Sequence, residues 1–584
     1  MKVSPRGAIT EACAVFVASI GFLFALAPSA PFTRELGVCE SGAVRDVLAG
    51  NIILPYFIPG PMVHVPPLYW WTAALCVRAF GWNELALRLP SMMAAALTCA
   101  ALFYWMATRI GRQAGFFASA ALLCCHFVLD AARQPRMDSM LALFVTVAAI
   151  FLERAHNADV AVDSPSNEAN GTPNGARFIP RRRIYLAFAA LMIGLGILTK
   201  GILGIVLPGA VIGLYLIVRW RLRDLFRVDL IATFVVGLLI GLAWYFAAYE
   251  IGGRKFLDWQ LTMNLWSRFV PAEAGGASYC AHPFWYFAPN IVTGFLPWSL
   301  YLPAIAVAAW PRRERKLSEP VVFAICWFAA IFLFFSASHG KCLVYILPAF
   351  PPLAALTGWA VSDALEGGPR QRLERLIGLA SAAVAIGIVT IIVVAIGGVV
   401  FGLAAAVAPQ LHPTDRRFVT IFADLLARRS PALMVWVIAS IAGAIAIGAA
   451  IRRGDITTQV IAVVVIAASG TIFWFGAMNP ILAQEETLEG FTKEVTRTVP
   501  SNMRIGHIGI EDCDLYFYSS RPIEPVFHFK CGANPPFPSY IVMRQRRFDE
   551  MNADERACLK PILQSPAVDS AGPRLLLEQV TPAH

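Results

Sequence analysis

The sequence predicts an all-α polytopic membrane protein of about 13 transmembrane helices, carrying a small extracytoplasmic α/β domain at its C-terminal end. Three observations predict it. The 584 residues have a mean hydropathy of +0.62 and are 58% hydrophobic but only 15% charged, which excludes a soluble globular enzyme and a disordered chain. The apolar residues gather in stretches near the ~20 residues that hydrocarbon requires. The net charge of +10 sits in short arginine clusters between those stretches, a membrane-orientation signature and not a nucleic-acid surface.

The first apolar run, 8–30, follows Lys2 and Arg6 and reads as a retained signal anchor with a cytoplasmic N-terminus. Further spans are expected at 89–108, 113–131, 138–155, 184–199, 201–219, 228–249, 284–309, 320–337, 342–362, 376–407, 432–451 and 456–477. Two joints, at 199–201 and 338–341, are very short. With the N-terminus inside, the clusters at 109–112, 181–183, 219–223, 312–316, 370–375 and 452–453 all fall on the cytoplasmic side, and the tail falls outside. Segment 156–183 is a flexible cytoplasmic linker by composition. A transmembrane domain is thus expected over 1–479, with external loops at 31–88 and 250–283. In 480–584, runs such as MRIGHIGI, DLYFYSS, SYIVMRQ and RLLLEQV suggest short strands alternating with helix. Cys39, Cys280, Cys513, Cys531 and Cys558 are expected outside, where disulfides form.

Charged residues in the outer connections are candidates for chemistry. The first loop holds Glu35, Glu40 and Asp46, and the turn at 131–140 holds Arg133, Arg136 and Asp138. Lys200 and Lys341 each occupy a short outer turn. Asp138 also suits a helix cap, and any of the cations suits a snorkelling anchor. Positive charge on the outer side nevertheless runs against the orientation rule. Taken together, these residues point to an anionic ligand at the membrane–water boundary, for which phosphate is the natural candidate. No P-loop or G-x-G-x-x-G turn supports a nucleotide.

The stretch G-P-M-V-H-V-P-P-L-Y-W-W (60–71) is irregular backbone by its prolines. It reads as the end of the first external loop, with the tryptophan pair expected at the membrane interface. His64 is the one residue there that suits a metal, although a lone histidine beside prolines is more often structural.

P-P-L-Y-W-W, F-G-W-N-E-L-A-L-R-L-P-S, A-R-Q-P-R-M-D-S-M, G-I-L-T-K-G, N-L-W-S-R-F and S-H-G-K-C-L-V-Y-I-L-P occur in this order from about 35 to 355. The ordered set resembles the bacterial lipid A aminoarabinose transferase and protein mannosyltransferase family of GT-C glycosyltransferases. The resemblance implies an inner-membrane enzyme moving a sugar from a polyprenyl-phosphate carrier to a lipid or protein acceptor at the outer face. It assigns the acid after the second turn to Asp138 and phosphate contacts to Arg268, Lys200 and Lys341, with Tyr345 as the aromatic of the last motif. Arg133 and Arg136 join the expected carrier-phosphate group.

Two departures stand out. Where the family reads D-E-A-x-Y, this chain reads V-C-E-S-G, with Cys39 at the Asp position and Glu40 next to it. Glu40 is the first choice for a base, with Glu35 and Asp46 as alternatives. Where the family reads K-P-P-L, the lysine is Val65 and the residue before it is His64. The expected mechanism is direct displacement at the sugar C1, either metal-independent or weakly assisted by a divalent metal. A lipid-linked sugar flippase and an inactive relative acting as a binding protein are the alternatives.

Overall fold

The computed structural model describes residues 4–26, 30–33, 38, 40–55, 65–162, 181–262, 282–310, 316–366, 371–400, 402, 413–509, 512–526, 529, 538–566 and 572–580. Glu35, Cys39, His64, Arg268, Cys280 and Cys531 lie outside the described residues. Among these residues ten helices are long and apolar enough to cross a membrane, or up to twelve if each of two bent pairs is one span. The chain is a multi-pass membrane protein.

The elements that position the site are α1 (Pro5–Leu26), α2 (Glu40–Leu48), α3 (Leu68–Phe80), α4 (Glu84–Arg109), α5 (Arg112–Leu123), α6 (His126–Arg133), α7 (Asp138–Val162), α8 (Arg181–Lys200), α9 (Leu203–Val218) and α10 (Val228–Trp259). The expected span 113–131 is bent by 60° between α5 and α6, and 284–309 by 105° between Phe284–Gly294 and Trp298–Ala309. Pro297 lies in the second break, where it can supply no helical N–H. Gly201, with φ +64°, makes the tight turn between α8 and α9. Just beyond it, a Cβ on Gly204 would stand 2.2 Å from the Gly196 carbonyl carbon and the Ile197 nitrogen, so glycine lets the two helices approach at backbone distance.

Among the described residues of 31–88 lie α2, α3 and the start of α4. α3 buries Tyr69 and Trp70, and the Tyr69 hydroxyl donates to the Leu87 carbonyl at 2.7 Å. Trp70 is therefore not an interface anchor. Trp70 is in the core, and Trp71 Nε1 donates to the Ile52 carbonyl at 2.7 Å, pinning the loop's return path.

The last apolar helix runs on through Trp474–Met478 and Asn479–Glu486 to Glu489–Thr498. A five-stranded sheet follows, formed by β1 (Ile505–Ile508), β2 (Ile523–Pro525), β3 (Tyr540–Arg544), β4 (Leu559–Gln564) and β5 (Arg574–Gln579), in the order β2-β1-β3-β5-β4. β1 pairs in parallel with β2 and β3, whereas β5 is antiparallel to β3 and β4. DLYFYSS supplies the helix Cys513–Tyr518 between β1 and β2, as a parallel crossover requires. Cys513 and Cys558 are both disulfide-bonded.

That helix clamps the tail to the first loop. Phe517 stacks on Trp82 and meets Phe32 edge-on, at 5.3 and 4.8 Å between ring centroids. Arg45 of α2 donates to the carbonyls of Phe517 and Ser519 at 3.1 and 2.6 Å. The Tyr518 hydroxyl donates to Glu84 at 2.9 Å and accepts from the Phe32 N–H at 2.7 Å.

Candidate active site

Asp138 opens α7 and Lys200 closes α8, each with its charge suited to that helix end. The two helices pack side by side, and the Lys200 ammonium donates to Asp138 Oδ1. The other carboxylate oxygen faces Arg136 Nε at 3.4 Å. Both Asp138 and Lys200 are nearly sealed from solvent. Lys200 Nζ also stands 4.7 Å above the Tyr345 ring, a cation–π contact. The sequence-predicted residues Asp138, Lys200, Arg136 and Tyr345 thus form one cluster.

Glu40 opens α2 over this cluster. Its carboxylate accepts from Trp70 Nε1. Burial pushes its pKa up to about 7, against the Trp70 hydrogen bond and the charge of Arg136; Asp138 adds to the rise and Lys200 opposes it. Asp138 has two cations on it, so Glu40 is the carboxyl of the site that can take up a proton near neutrality. Trp70 was not singled out as a site residue in the sequence. Its signal was the aromatic run after the double proline.

An apolar cavity of about 340 Å³ reaches Lys200 and Tyr345 of the cluster. Lys200, Tyr345, Ser338, Tyr245 and Gln260 are polar residues of its lining, and Val65 stands in its wall. Leu238, Leu242, Leu257 and Leu261 line it and remain 37–50% exposed on the α10 side, so it opens toward the lipid-facing surface. Tyr245 and Gln260 carried no sequence signal, since each is one polar residue in a long helix.

Other expected residues are placed differently. Lys341 is 3% exposed, and its ammonium donates to the His282 carbonyl at 2.9 Å and to the Ser338 carbonyl. It fastens the 338–341 turn, and burial lowers its pKa. Asp46 accepts from Asn51 at 2.8 Å, on the far end of α2 from Glu40. Arg133 is not brought to the cluster. Its guanidinium lies 4.3 Å over the Phe475 ring and lines a separate cavity of about 210 Å³. Among the described residues no group of three or more His, Cys, Asp or Glu side chains is arranged to hold a metal ion.

Residues 64–162 match the family described as dolichyl-phosphate-mannose-protein mannosyltransferase. The chain is similar to the undecaprenyl phosphate-alpha-4-amino-4-deoxy-L-arabinose arabinosyl transferase of Pseudomonas aeruginosa strain UCBPP-PA14, at 30% identity over 324 residues. Those residues are 55% of this chain and 54% of that protein. The transferase of the same description from Erwinia tasmaniensis is 27% identical over 360 residues, 61% of this chain and 60% of that one. The chain spans about half the length of the curated relatives it matches. The structure of ArnT from Cupriavidus metallidurans bound to undecaprenyl phosphate superposes with a TM-score of 0.70 at 19% identity, over 99% of this chain and 98% of that one. Its apo state gives the same TM-score at 20% identity.

The fold is that of these ArnT structures, a polytopic helical membrane protein that ends in a small sheet domain.

Proposed function

We propose that the protein is an integral membrane glycosyltransferase that moves a sugar from an undecaprenyl-phosphate carrier to a lipid A-like acceptor at the outer face of the inner membrane. The observation that carries this reading is the apolar cavity that reaches Lys200, whose ammonium is paired with Asp138 in a cluster that Arg136 and Glu40 also join. A polyprenyl chain suits the apolar walls, and its phosphate suits the Lys200 ammonium. The similarity to undecaprenyl-phosphate-dependent arabinosyl transferases supports the carrier and makes aminoarabinose the first donor sugar to test.

In this reading the acceptor oxygen attacks the sugar C1 while the bond from C1 to the carrier-phosphate oxygen breaks. The leaving phosphate keeps the electron pair, and its growing charge is stabilised by Lys200 and Arg136. The acceptor proton passes to Glu40. Asp138 is a positioning residue that pairs with both cations, and Tyr345 seats the Lys200 ammonium. Lys341 shapes the adjoining turn, and Arg268 is carried only by its motif. Val65 offers the phosphate no charge, so Lys200 and Arg136 bear more of that role. The transmembrane part is 1–479 and the tail 480–584, with the N-terminus cytoplasmic and the tail periplasmic.

Purified protein in nanodiscs, given undecaprenyl-phosphate-aminoarabinose and lipid A, is expected to release free undecaprenyl phosphate and glycosylate the lipid in equal amounts. Intact donor after prolonged incubation with all acceptors tried would overturn the reading in favour of transport or binding.

A further inference from the structure

We infer that the tail helix Cys513–Tyr518 fixes the rotation of α2 and thereby positions Glu40, with Arg45 and Tyr518 as the positioning residues. This role deepens the glycosyltransferase reading above and rests on it. α2 spans only Glu40–Leu48, and so short a helix does not hold itself in water. Its direction and rotation are therefore set by what packs on it. α3 and the tail helix both do.

Glu40 and Arg45 lie on different sides of α2, about 140° apart round its axis at 3.6 residues per turn. On one side the Glu40 carboxylate accepts from Trp70 Nε1 of α3. On the other, the Arg45 guanidinium donates to the Phe517 and Ser519 carbonyls and lies 4.5 Å over the Trp82 ring. Trp82 Nε1 donates to the same Phe517 carbonyl at 3.1 Å. A guanidinium on two carbonyls makes charge-assisted hydrogen bonds of fixed direction. They resist a rotation of α2 that would carry Glu40 off Trp70.

The tail helix faces both ways. Cys513 and Phe517, four residues apart and so on one face, are buried in the same apolar cluster as Phe32, Val44 and Trp70. Leu515 and Tyr516 are buried in the tail's own core with Leu488, Val495 and Val542, and the Asp514 carboxylate accepts from the Leu488 N–H at 3.0 Å. The helix thus passes the position of the sheet domain on to α2. Tyr518 adds a second tie, its hydroxyl joining the Phe32 N–H to Glu84 at the start of α4. The charges that act on Glu40 are Arg136, Asp138 and Lys200 of the membrane part, while on α2 itself Arg45 is turned to the tail and Asp46 to Asn51. Loosening the tail therefore changes the placement and hydration of the Glu40 carboxyl and leaves the Asp138–Lys200 pair in place.

The test compares Arg45→Gln, Arg45→Lys and Tyr518→Phe in the full chain in nanodiscs, each alone and combined with Glu40→Gln. Both transfer of labelled sugar and binding of undecaprenyl phosphate are read. Arg45→Gln should lower kcat/KM by about 10- to 100-fold, as a displaced catalytic group does. It should keep undecaprenyl phosphate binding within about twofold, which also reports a folded membrane part. Its pH inflection should move down from about 7 toward the ordinary carboxylate range, because burial is the largest influence on Glu40 and a loosened α2 admits water. Arg45→Lys should recover part of the rate, and Tyr518→Phe should lose several-fold. In the Glu40→Gln background, Arg45→Gln should lower the remaining rate by less than about twofold, since the group it positions is gone. Should Arg45→Gln lose the carrier as well, Tyr518→Phe, which keeps its ring, carries the same three readouts. The inference is overturned if Arg45→Gln transfers sugar like the wild type or keeps its inflection at about 7. It is also overturned if Arg45→Gln slows the Glu40→Gln protein by the same factor as the wild type, the result that a structural role alone gives. A wild type that transfers no sugar overturns the glycosyltransferase reading and this inference with it; normal transfer with independent effects of the two substitutions overturns this inference alone.

Discussion

Replacing Glu40 by glutamine removes the one carboxyl at the site whose pKa lies near neutrality, with little change in shape. Burial sets that pKa at about 7 against an ordinary value of 4.5. If ionised Glu40 accepts the acceptor proton, wild-type kcat/KM should rise with pH and level off around 7. Below that point it should fall about tenfold per pH unit. Glu40→Gln should lower the plateau by about 10²–10⁴-fold and abolish the inflection. Trp70→Phe deletes a hydrogen bond that favours the ionised form, so its inflection should move up by about one pH unit. Stability should run in the opposite direction to rate. Because the folded pKa exceeds the unfolded one, the protonated carboxyl favours folding below about 4.5, and that contribution, about 3 kcal/mol, is lost as pH rises through 7. The assay is initial-rate transfer of labelled sugar in nanodiscs between pH 5 and 9, with chemistry confirmed as rate-limiting. An inflection in the ordinary carboxylate range, or a glutamine variant with wild-type rates, would refute the reasoning.

Three further outcomes follow from the same geometry. Lys200→Met leaves Asp138 buried with Arg136 alone, so it should cost about 3–5 kcal/mol of stability and abolish carrier binding; Lys200→Arg should recover part of both, as read by Tm and by binding of undecaprenyl phosphate. Val65→Lys places an ammonium in the wall of the carrier cavity and should tighten undecaprenyl phosphate by about tenfold, whereas unchanged or weaker binding would show that the phosphate sits elsewhere. In the tail, contacts with His507, Arg574 and Arg544 outweigh burial and hold Asp512 well below the usual carboxylate range. Its stabilisation is therefore present above about pH 4 and lost as pH falls further. Asp512→Asn should strand the fully buried Arg574, cost about 3–5 kcal/mol and make the tail sensitive to protease at neutral pH.

Much of this arrangement was legible in the sequence, for identifiable reasons. Span positions follow from apolar length, and the outer cations stood out because they violate the orientation rule. The resemblance brought Asp138, Lys200 and Tyr345 to one place before any geometry was known. What stayed hidden depends on which way side chains turn. Arg133 and Arg136 read as one basic group, yet Arg136 pairs with Asp138 while Arg133 lies over the Phe475 ring. Lys341 read as a phosphate contact because carbonyls leave no sequence trace, and carbonyls of His282 and Ser338 take its ammonium. Trp70 read as an interface residue because Trp is common there, while its role is set by Glu40, thirty residues earlier. Hydropathy records neither bend: Pro297 marks the second, but no proline or glycine marks the one near 124.

The central claim is sugar transfer at the Glu40–Asp138–Lys200 site. The most direct measurement is mass spectrometry of envelope lipids from cells lacking the gene, complemented with the wild type or with Glu40→Gln at matched protein levels. The account predicts a lipid A-like species heavier by one sugar residue with the wild type and its absence with both the deletion and Glu40→Gln. The same modified lipid in the Glu40→Gln cells, or identical lipids in all three, would contradict it.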